Sequence, residues 1–348
     1  MEVNDNFNAN KGNIPLGAAC IAGALLLGFS ITTHAAIVPA YDIYATPDRL
    51  VTIAPGRQLN LRCTGKGKPT IILESGLGFP SYSWRKVQPQ VARTHRVCSY
   101  DRAGLGFSSP GPLPRDADAI ARDLSALVDA AGLTPPFVLV GSSLGSQSVR
   151  LFAFRRPADT AGLVLVDPYV EGQFERLAGI ASAIGVENAV ARAEERACLY
   201  RLLAGNIDAE RAERLGCIGA PDPEFSPRLL AVVRSQRLRP DNARAVDSES
   251  AMLESASSDQ LRSATHSFGT MPIVVLTAGA SFADSGQDAP TEAALLAEKR
   301  RLHANIAALS SAGREELVPG SSHVIQASDP DAVVKAILEV ASAAAAAP

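Results

Sequence analysis

Five short runs of nearly unbroken aliphatic and β-branched residues constrain the fold of this 348-residue chain more than any other feature. They are Thr70–Glu74, Arg96–Tyr100, Phe137–Gly141, Leu163–Asp167 and Ile273–Thr277, and each gives way to a turn rich in Gly, Pro or Ser. A strand that is apolar on both faces must be covered on both faces, as in a parallel sheet between helical layers. Longer helical patterns lie between the runs. Asp116–Ala131 puts Ile120, Leu124, Leu127 and Val128 on one stripe and is closed by Gly132, while Glu292–Ser310 and Pro330–Ala341 read as further helices. This alternation predicts an α/β domain with a mostly parallel sheet.

The alternation lapses for about 100 residues between Pro168 and Met271, where charged helical patterns are broken at Gly205, Gly216 and Pro221–Pro223. Strands precede and follow this stretch, so it reads as a helical insertion (169–269) into a single core (41–168 and 270–341). Residues 342–348 form an Ala-rich, low-complexity tail. No internal repeat is apparent.

Charge narrows the partners. With 33 Lys and Arg against 36 Asp and Glu, the formal charge is −3, without the basic excess that nucleic acid demands. An apolar fraction of 47% and a charged fraction of 20% exclude disorder, collagen and coiled coil. Residues 14–33 carry no charge and have about the length that spans a bilayer. Thr33–Ala36 after them resembles a cleavage site. Residues 1–38 are therefore expected to be a secretory signal or a retained membrane anchor, and either exports the remainder to a compartment where disulfides persist. Cys20 does not fit a lipidation site, because most of the apolar run follows it and Gly17 stands where Leu is usual. Cys63, Cys98, Cys198 and Cys217 then remain, with three pairings open.

The chemistry concentrates at Gly141-Ser142-Ser143-Leu144-Gly145. The pentapeptide fits G-x-S-x-G directly after a strand and before a helical run, Gln147–Arg155, which is the context of a nucleophile elbow. Ser143 is in the motif's register, and Ser142 is not. A serine hydroxyl needs a base to remove its proton, and His is the usual one. Of five His residues, His34 lies in the exported segment, His95 before a strand, His266 at the end of the insertion and His303 inside a helix. His323 alone sits in a Gly/Ser loop, Pro319–His323, between a strand-like run at Glu316–Val318 and the last helix. It is the candidate base.

Taken together, Leu73–Gly78, Tyr100–Ser108, Gly141–Gly145, Leu163–Pro168 and Ser322-His323 resemble the α/β-hydrolase superfamily, specifically its exported members, over about Tyr41 to Ala341. The sequence departs from the pattern at Ser142, where relatives commonly have His, and at Ser146, where they commonly have Gly. The resemblance implies a triad in the order Ser, acid, His. Asp167 at the end of Leu163–Asp167 is favoured as the acid, with Asp284, in the loop after Ile273–Thr277, as the alternative. It also implies an oxyanion hole of backbone N–H groups from Leu77 and Leu144, a structural role for Asp101-Arg102, and adjacent strands carrying Cys63 and Cys98. Cys198 and Cys217 bracket a helix-turn-helix pattern and would staple the insertion.

The expected activity is hydrolysis of a small ester or related acyl substrate through an acyl-enzyme, with no metal or organic cofactor. Perhydrolysis and C–C bond hydrolysis use the same triad. A carboxylate-nucleophile reaction is disfavoured by Ser at position 143. The alternative is an inactive binding protein, or an envelope scaffold anchored by its first helix. Trp84 is a candidate for the wall of the site or for the core. Leu199, Leu202 and Leu203, with Leu229, Leu230 and Val233, are candidates to cover the site or to pack on the core.

Overall fold

A computed structural model describes residues 41–205, 207–218, 222–283 and 285–346. The segment expected to be a signal or anchor (1–38), including its uncharged run 14–33, lies outside the described residues, and so does Asp284. Among the described residues no helix is long and apolar enough to cross a membrane.

The strands are β1 (Arg49–Ala54), β2 (Arg57–Thr64), β3 (Thr70–Glu74), β4 (Val97–Tyr100), β5 (Phe137–Ser142), β6 (Thr160–Val166), β7 (Ile273–Ala278) and β8 (Gly313–Val318). They form one sheet in the order β1-β2-β4-β3-β5-β6-β7-β8. β1, β2 and β4 pair antiparallel, and from β4 onward every pairing is parallel. The five apolar runs are the five central strands. β1 is an edge strand with exposed Arg49 and Leu50, and it is missing from the sequence reading because only Val51 is buried.

Alternation along each central strand feeds two core layers. Ile71, Leu73, Val138, Val140, Val164 and Val166 face one side, with Trp84, Val333 and Ile337. Ile72, Phe137, Leu139, Leu163 and Leu165 face the other, with Leu124, Phe152 and Leu302. Complete burial of such a side chain contributes about 1.5–3 kcal/mol, so this interior defines the sheet's register.

The covering helices start on sequence signals. α1 (Ala117–Ala130) is capped by Asp116, whose carboxylate accepts from Ala119 N, and ends before Gly132 at φ +66°. α2 (Gly145–Arg155) follows β5 directly. Between β6 and β7 the described residues hold helices only: α3 (Gln173–Ala178), α4 (Ser182–Leu203), α5 (Ala209–Arg214), α6 (Pro227–Arg237), α7 (Pro240–Leu253) and α8 (Ala256–Ala264). α9 (Ala289–Ala307) then precedes β8, and α10 (Pro330–Ala346) closes the domain. The Ala-rich residues set aside as a tail continue α10 to Ala346, because Ala has the strongest helix preference.

Two disulfides form. Cys63 and Cys98 lie directly opposite each other on β2 and β4, and Cys198 of α4 joins Cys217 just beyond α5.

Candidate active site

β5 ends at Ser142 and α2 begins at Gly145, so the turn between them has two residues. Ser143 takes up the turn with φ +49°, a left-handed conformation that side-chain-bearing residues rarely adopt. The flanking glycines allow it. A Cβ on Gly141 would stand 2.7 Å from Val149 Cγ2, and one on Gly145 would stand 2.6 Å from the Ser75 carbonyl. Ser146, where relatives commonly have Gly, donates its hydroxyl to the Ser143 carbonyl at 2.6 Å. Ser142, where they commonly have His, accepts from Gln326 Nε2 at 3.1 Å. Both departures are thus absorbed within the elbow.

Asp167 is the first residue after β6, and Ser142 and Val166 are paired across β5 and β6, so Ser143 and Asp167 leave the sheet side by side. Asp167 has φ +42°, and with Ser143 it makes up the non-glycine residues of positive φ among those described. Its side chain is wholly buried. Oδ1 accepts from Ala278 N at 2.9 Å, and Oδ2 accepts from His323 Nδ1 at 2.5 Å and from Lys299 Nζ at 2.5 Å. Burial alone would push the Asp167 carboxyl up, but Lys299 foremost, then His323 and His303, hold it below the usual carboxylate range. With Nδ1 donating to Asp167, Nε2 of His323 is free to accept, and the Ser143 hydroxyl lies 3.1 Å from it. The structure therefore brings Ser143, His323 and Asp167 into one hydrogen-bonded chain.

Leu77 follows β3 in the turn Ser75–Gly78, and Leu144 follows Ser143. Among the described residues neither backbone N–H has a protein acceptor. The turn stands against the elbow, since a Cβ on Gly76 would lie 3.4 Å from Ser143 Cβ. Asp101 ties neighbouring loops, accepting from Ser81 N, Phe107 N and Asn60 Nδ2 at 2.8–3.0 Å. Arg102 is buried in an ion-pair network and is not part of the cavity wall.

A cavity of about 690 Å³ opens over Ser143 and His323. Leu77, Phe79 and Phe282 of the core and Phe174, Leu177, Ile184 and Leu253 of the insertion line it. None of the six apolar residues proposed from the sequence to cover the site is among its walls. Leu202, Leu229 and Val233 are buried, and Leu203 is 38% exposed. Helical spacing singles them out, whereas the insertion residues that reach the site lie on the short α3, at the start of α4 and at the end of α7. Trp84 is fully buried in the core layer with Val87 and Val91. Among the described residues no cluster of His, Cys, Asp or Glu is arranged to hold a metal ion.

Sequence reasoning missed Lys299 and His303, which face the Asp167 turn from α9. Lys299 Nζ also donates to Ser281 Oγ at 2.7 Å and lies over the Phe282 ring. His303 Nε2 meets the Pro168 carbonyl at 3.0 Å, so Nδ1 accepts from the Thr277 hydroxyl at 2.7 Å. Burial lowers the His303 pKa to about 4 and keeps the ring neutral. A signal was present: Lys299 and His303 interrupt the buried stripe Leu295, Leu302, Ile306 at helical spacing, and a cation inside an apolar stripe requires a partner.

Residues 71–336 match the sequence profile of the Alpha/beta hydrolase family. The chain is 32% identical over 152 residues to 2-hydroxy-6-oxo-2,4-heptadienoate hydrolase of Pseudomonas putida, covering 43% of this chain and 54% of that protein. Across the first five curated relatives the match spans no more than 54% of the relative's own length. Among solved structures, an alpha/beta hydrolase fold protein from Burkholderia ambifaria is similar at TM-score 0.58 and 19% identity, over 84% of this chain and 99% of that one. The enol-lactonase from Burkholderia xenovorans is similar at TM-score 0.55 and 19% identity, over 83% and 98%. At such identities the structural likeness speaks for the fold.

Proposed function

This chain belongs to the alpha/beta hydrolase family, and we propose that it is a serine hydrolase that cleaves an ester or related acyl substrate through an acyl-enzyme. One observation carries the reading: a serine held in a left-handed turn lies 3.1 Å from an imidazole whose other nitrogen is bonded to a buried aspartate. Ser143 Oγ attacks the acyl carbon as His323 Nε2 takes its proton. Asp167 holds the imidazole in the tautomer that can accept and stabilises the cation that forms, without itself taking the proton. Leu77 N–H and Leu144 N–H receive the tetrahedral oxyanion. His323 then returns the proton to the leaving group, and a water repeats the sequence in reverse to release the acid. The apolar walls suit an acyl or alcohol group with little charge.

The core (41–168 and 270–341) supplies the chemistry, and the insertion (169–269) acts as a lid that shapes the cavity. Two disulfides suit an oxidising compartment. On this reading the domain works outside the cytoplasm, with residues 14–33 as its export signal or membrane contact.

The test is labelling by a fluorophosphonate probe of wild type, Ser143→Ala, His323→Ala, Asp167→Asn and Asp284→Asn. Labelling is expected to vanish with Ser143→Ala, to collapse with His323→Ala and Asp167→Asn, and to persist with Asp284→Asn. A folded wild type that neither labels nor hydrolyses p-nitrophenyl esters would instead be a binding protein. Collapse with Asp284→Asn alone would move the acid to that loop.

A further inference from the structure

The motif residue Arg102 has no part in the chemistry above, yet it is fully buried with Glu74 and Glu249, next to the turn that carries Leu77. Its Nη1 donates to Glu74 Oε1 at 2.9 Å and to the Ser75 carbonyl at 2.6 Å. Nη2 donates to the Gly76 carbonyl at 2.7 Å. Nε and Nη2 together make a two-pronged pair with Glu249 at 2.7 and 2.8 Å. Glu249 also accepts from Gly78 N at 3.1 Å. Leu77 is therefore flanked by two fixed groups, the Gly76 C=O on a guanidinium and the Gly78 N–H on a carboxylate.

The Gly76 carbonyl and the Leu77 N–H belong to one peptide plane, where in the trans form they point in opposite directions. A guanidinium that holds the carbonyl on one side therefore aims the N–H to the other. By polarising the same peptide, it also makes that N–H a stronger donor.

Glu249 comes from the insertion. It lies on α7, whose Val246 would stand 3.2 Å from a Cβ on Gly78 and whose Ala245 would stand 2.7 Å from one on Gly104. Leu253, one turn further on, lines the cavity. The same helix thus packs on the turn, anchors its charge network and forms part of the substrate wall.

We propose that Glu249, acting through Arg102, is a positioning residue for the oxyanion donor Leu77, so that the oxyanion hole is complete only with α7 docked. This rests on the serine-hydrolase reading. A buried ion pair that merely docked the helix would set stability and leave the transition state alone, and that difference is measurable.

The experiment compares wild type, Glu249→Gln and Glu249→Asp, with Arg234→Gln as a control that breaks the Arg234–Glu213 pair elsewhere in the insertion. Folding is checked by circular dichroism. The readouts are kcat and KM for p-nitrophenyl butyrate, the fluorophosphonate labelling rate, and inhibition by phenylboronic acid, whose tetrahedral adduct places an oxygen in the hole. For the Glu249 variants kcat and the labelling rate are expected to fall about tenfold or more, against roughly 100- to 1,000-fold for a donor lost outright. Boronate affinity should weaken in step, KM should stay within about threefold, and Arg234→Gln should match wild type. Glu249→Asp keeps the charge with a shorter reach and serves where the amide does not fold. Wild-type kcat and boronate affinity in either folded Glu249 variant would overturn the proposal. An inert wild type would instead overturn the serine-hydrolase reading beneath it.

Discussion

The central strands and the inserted helices hold themselves together differently. In β3, β5 and β7 every residue is buried, and neighbouring positions pack into opposite core layers. In α4, 22 residues long, apolar side chains are scattered around the axis, and Val186, Val190 and Tyr200 are 50–66% exposed. Besides the buried Arg102–Glu249 pair that joins it to the core, the insertion carries local ties: the Cys198–Cys217 bridge and exposed or half-exposed pairs such as Arg192–Glu254 and Arg234–Glu213. Such exposed pairs contribute about 0–1 kcal/mol each. The strained residues Ser143 and Asp167 are mounted on the region that can hold strain, and the more loosely held region supplies four of the apolar cavity walls, Phe174, Leu177, Ile184 and Leu253.

If that division is correct, substitutions in the two regions change different kinetic constants. Asp167→Asn is expected to lower kcat by about 10³- to 10⁴-fold with the fold intact. Phe174→Ala, in the insertion, should act mainly on KM and acyl-length preference, by about 10- to 100-fold between substrates. Steady-state kinetics on a series of p-nitrophenyl esters separates the two, and wild-type kcat in Asp167→Asn would remove the acid from the triad.

The disulfides sharpen the contrast. They close loops of 35 and 19 residues, for which chain entropy predicts about 4 and about 3 kcal/mol. Ser at both positions of Cys63–Cys98 should shift the urea midpoint of the whole domain. The same change at Cys198–Cys217 should instead open the insertion locally and speed proteolysis near α5 with a smaller midpoint shift. Equal midpoint shifts would mean that the insertion and the sheet unfold as one unit.

The smallest effect is a pH dependence confined to the core. His303 is held neutral with its pKa lowered to about 4. As pH falls below about 6.5 the unfolded chain binds the proton first, so stability decreases until the folded pKa is reached. By pH 5 this amounts to about 2 kcal/mol, present in wild type and absent from His303→Gln. Urea midpoints at pH 7 and pH 5 measure it, and parallel losses in the two proteins would place the titration elsewhere.

The sequence makes the central strands legible because each is short, apolar and bounded by turn residues, and β1 escapes because one face meets water. Ser143, Asp167 and His323 are legible as a set because each stands at a strand end or in the loop beyond one. For Lys299 and His303 the interrupted stripe shows only that a partner is needed, and Glu249 shows not even that, because the partners lie 132, 135 and 147 residues away and no local pattern encodes a pairing over that distance. The role expected for Arg102 was structural, and its place in the network extends that role to the turn carrying Leu77. Of the two roles open to Leu202, Leu229 and Val233, packing in the interior is the one they take, and the choice is not legible for a related reason: spacing along a helix identifies a face but not what lies opposite it.

The left-handed backbone at position 167 limits which acids evolution can try there. Asp and Asn tolerate that conformation far better than longer side chains, and the carboxylate is fixed at once by Ala278 N, His323 and Lys299. Glu would need both a different backbone and a different reach. A lineage could therefore exchange the walls of the cavity freely, whereas moving the acid would require a new loop to carry it before Asp167 is given up.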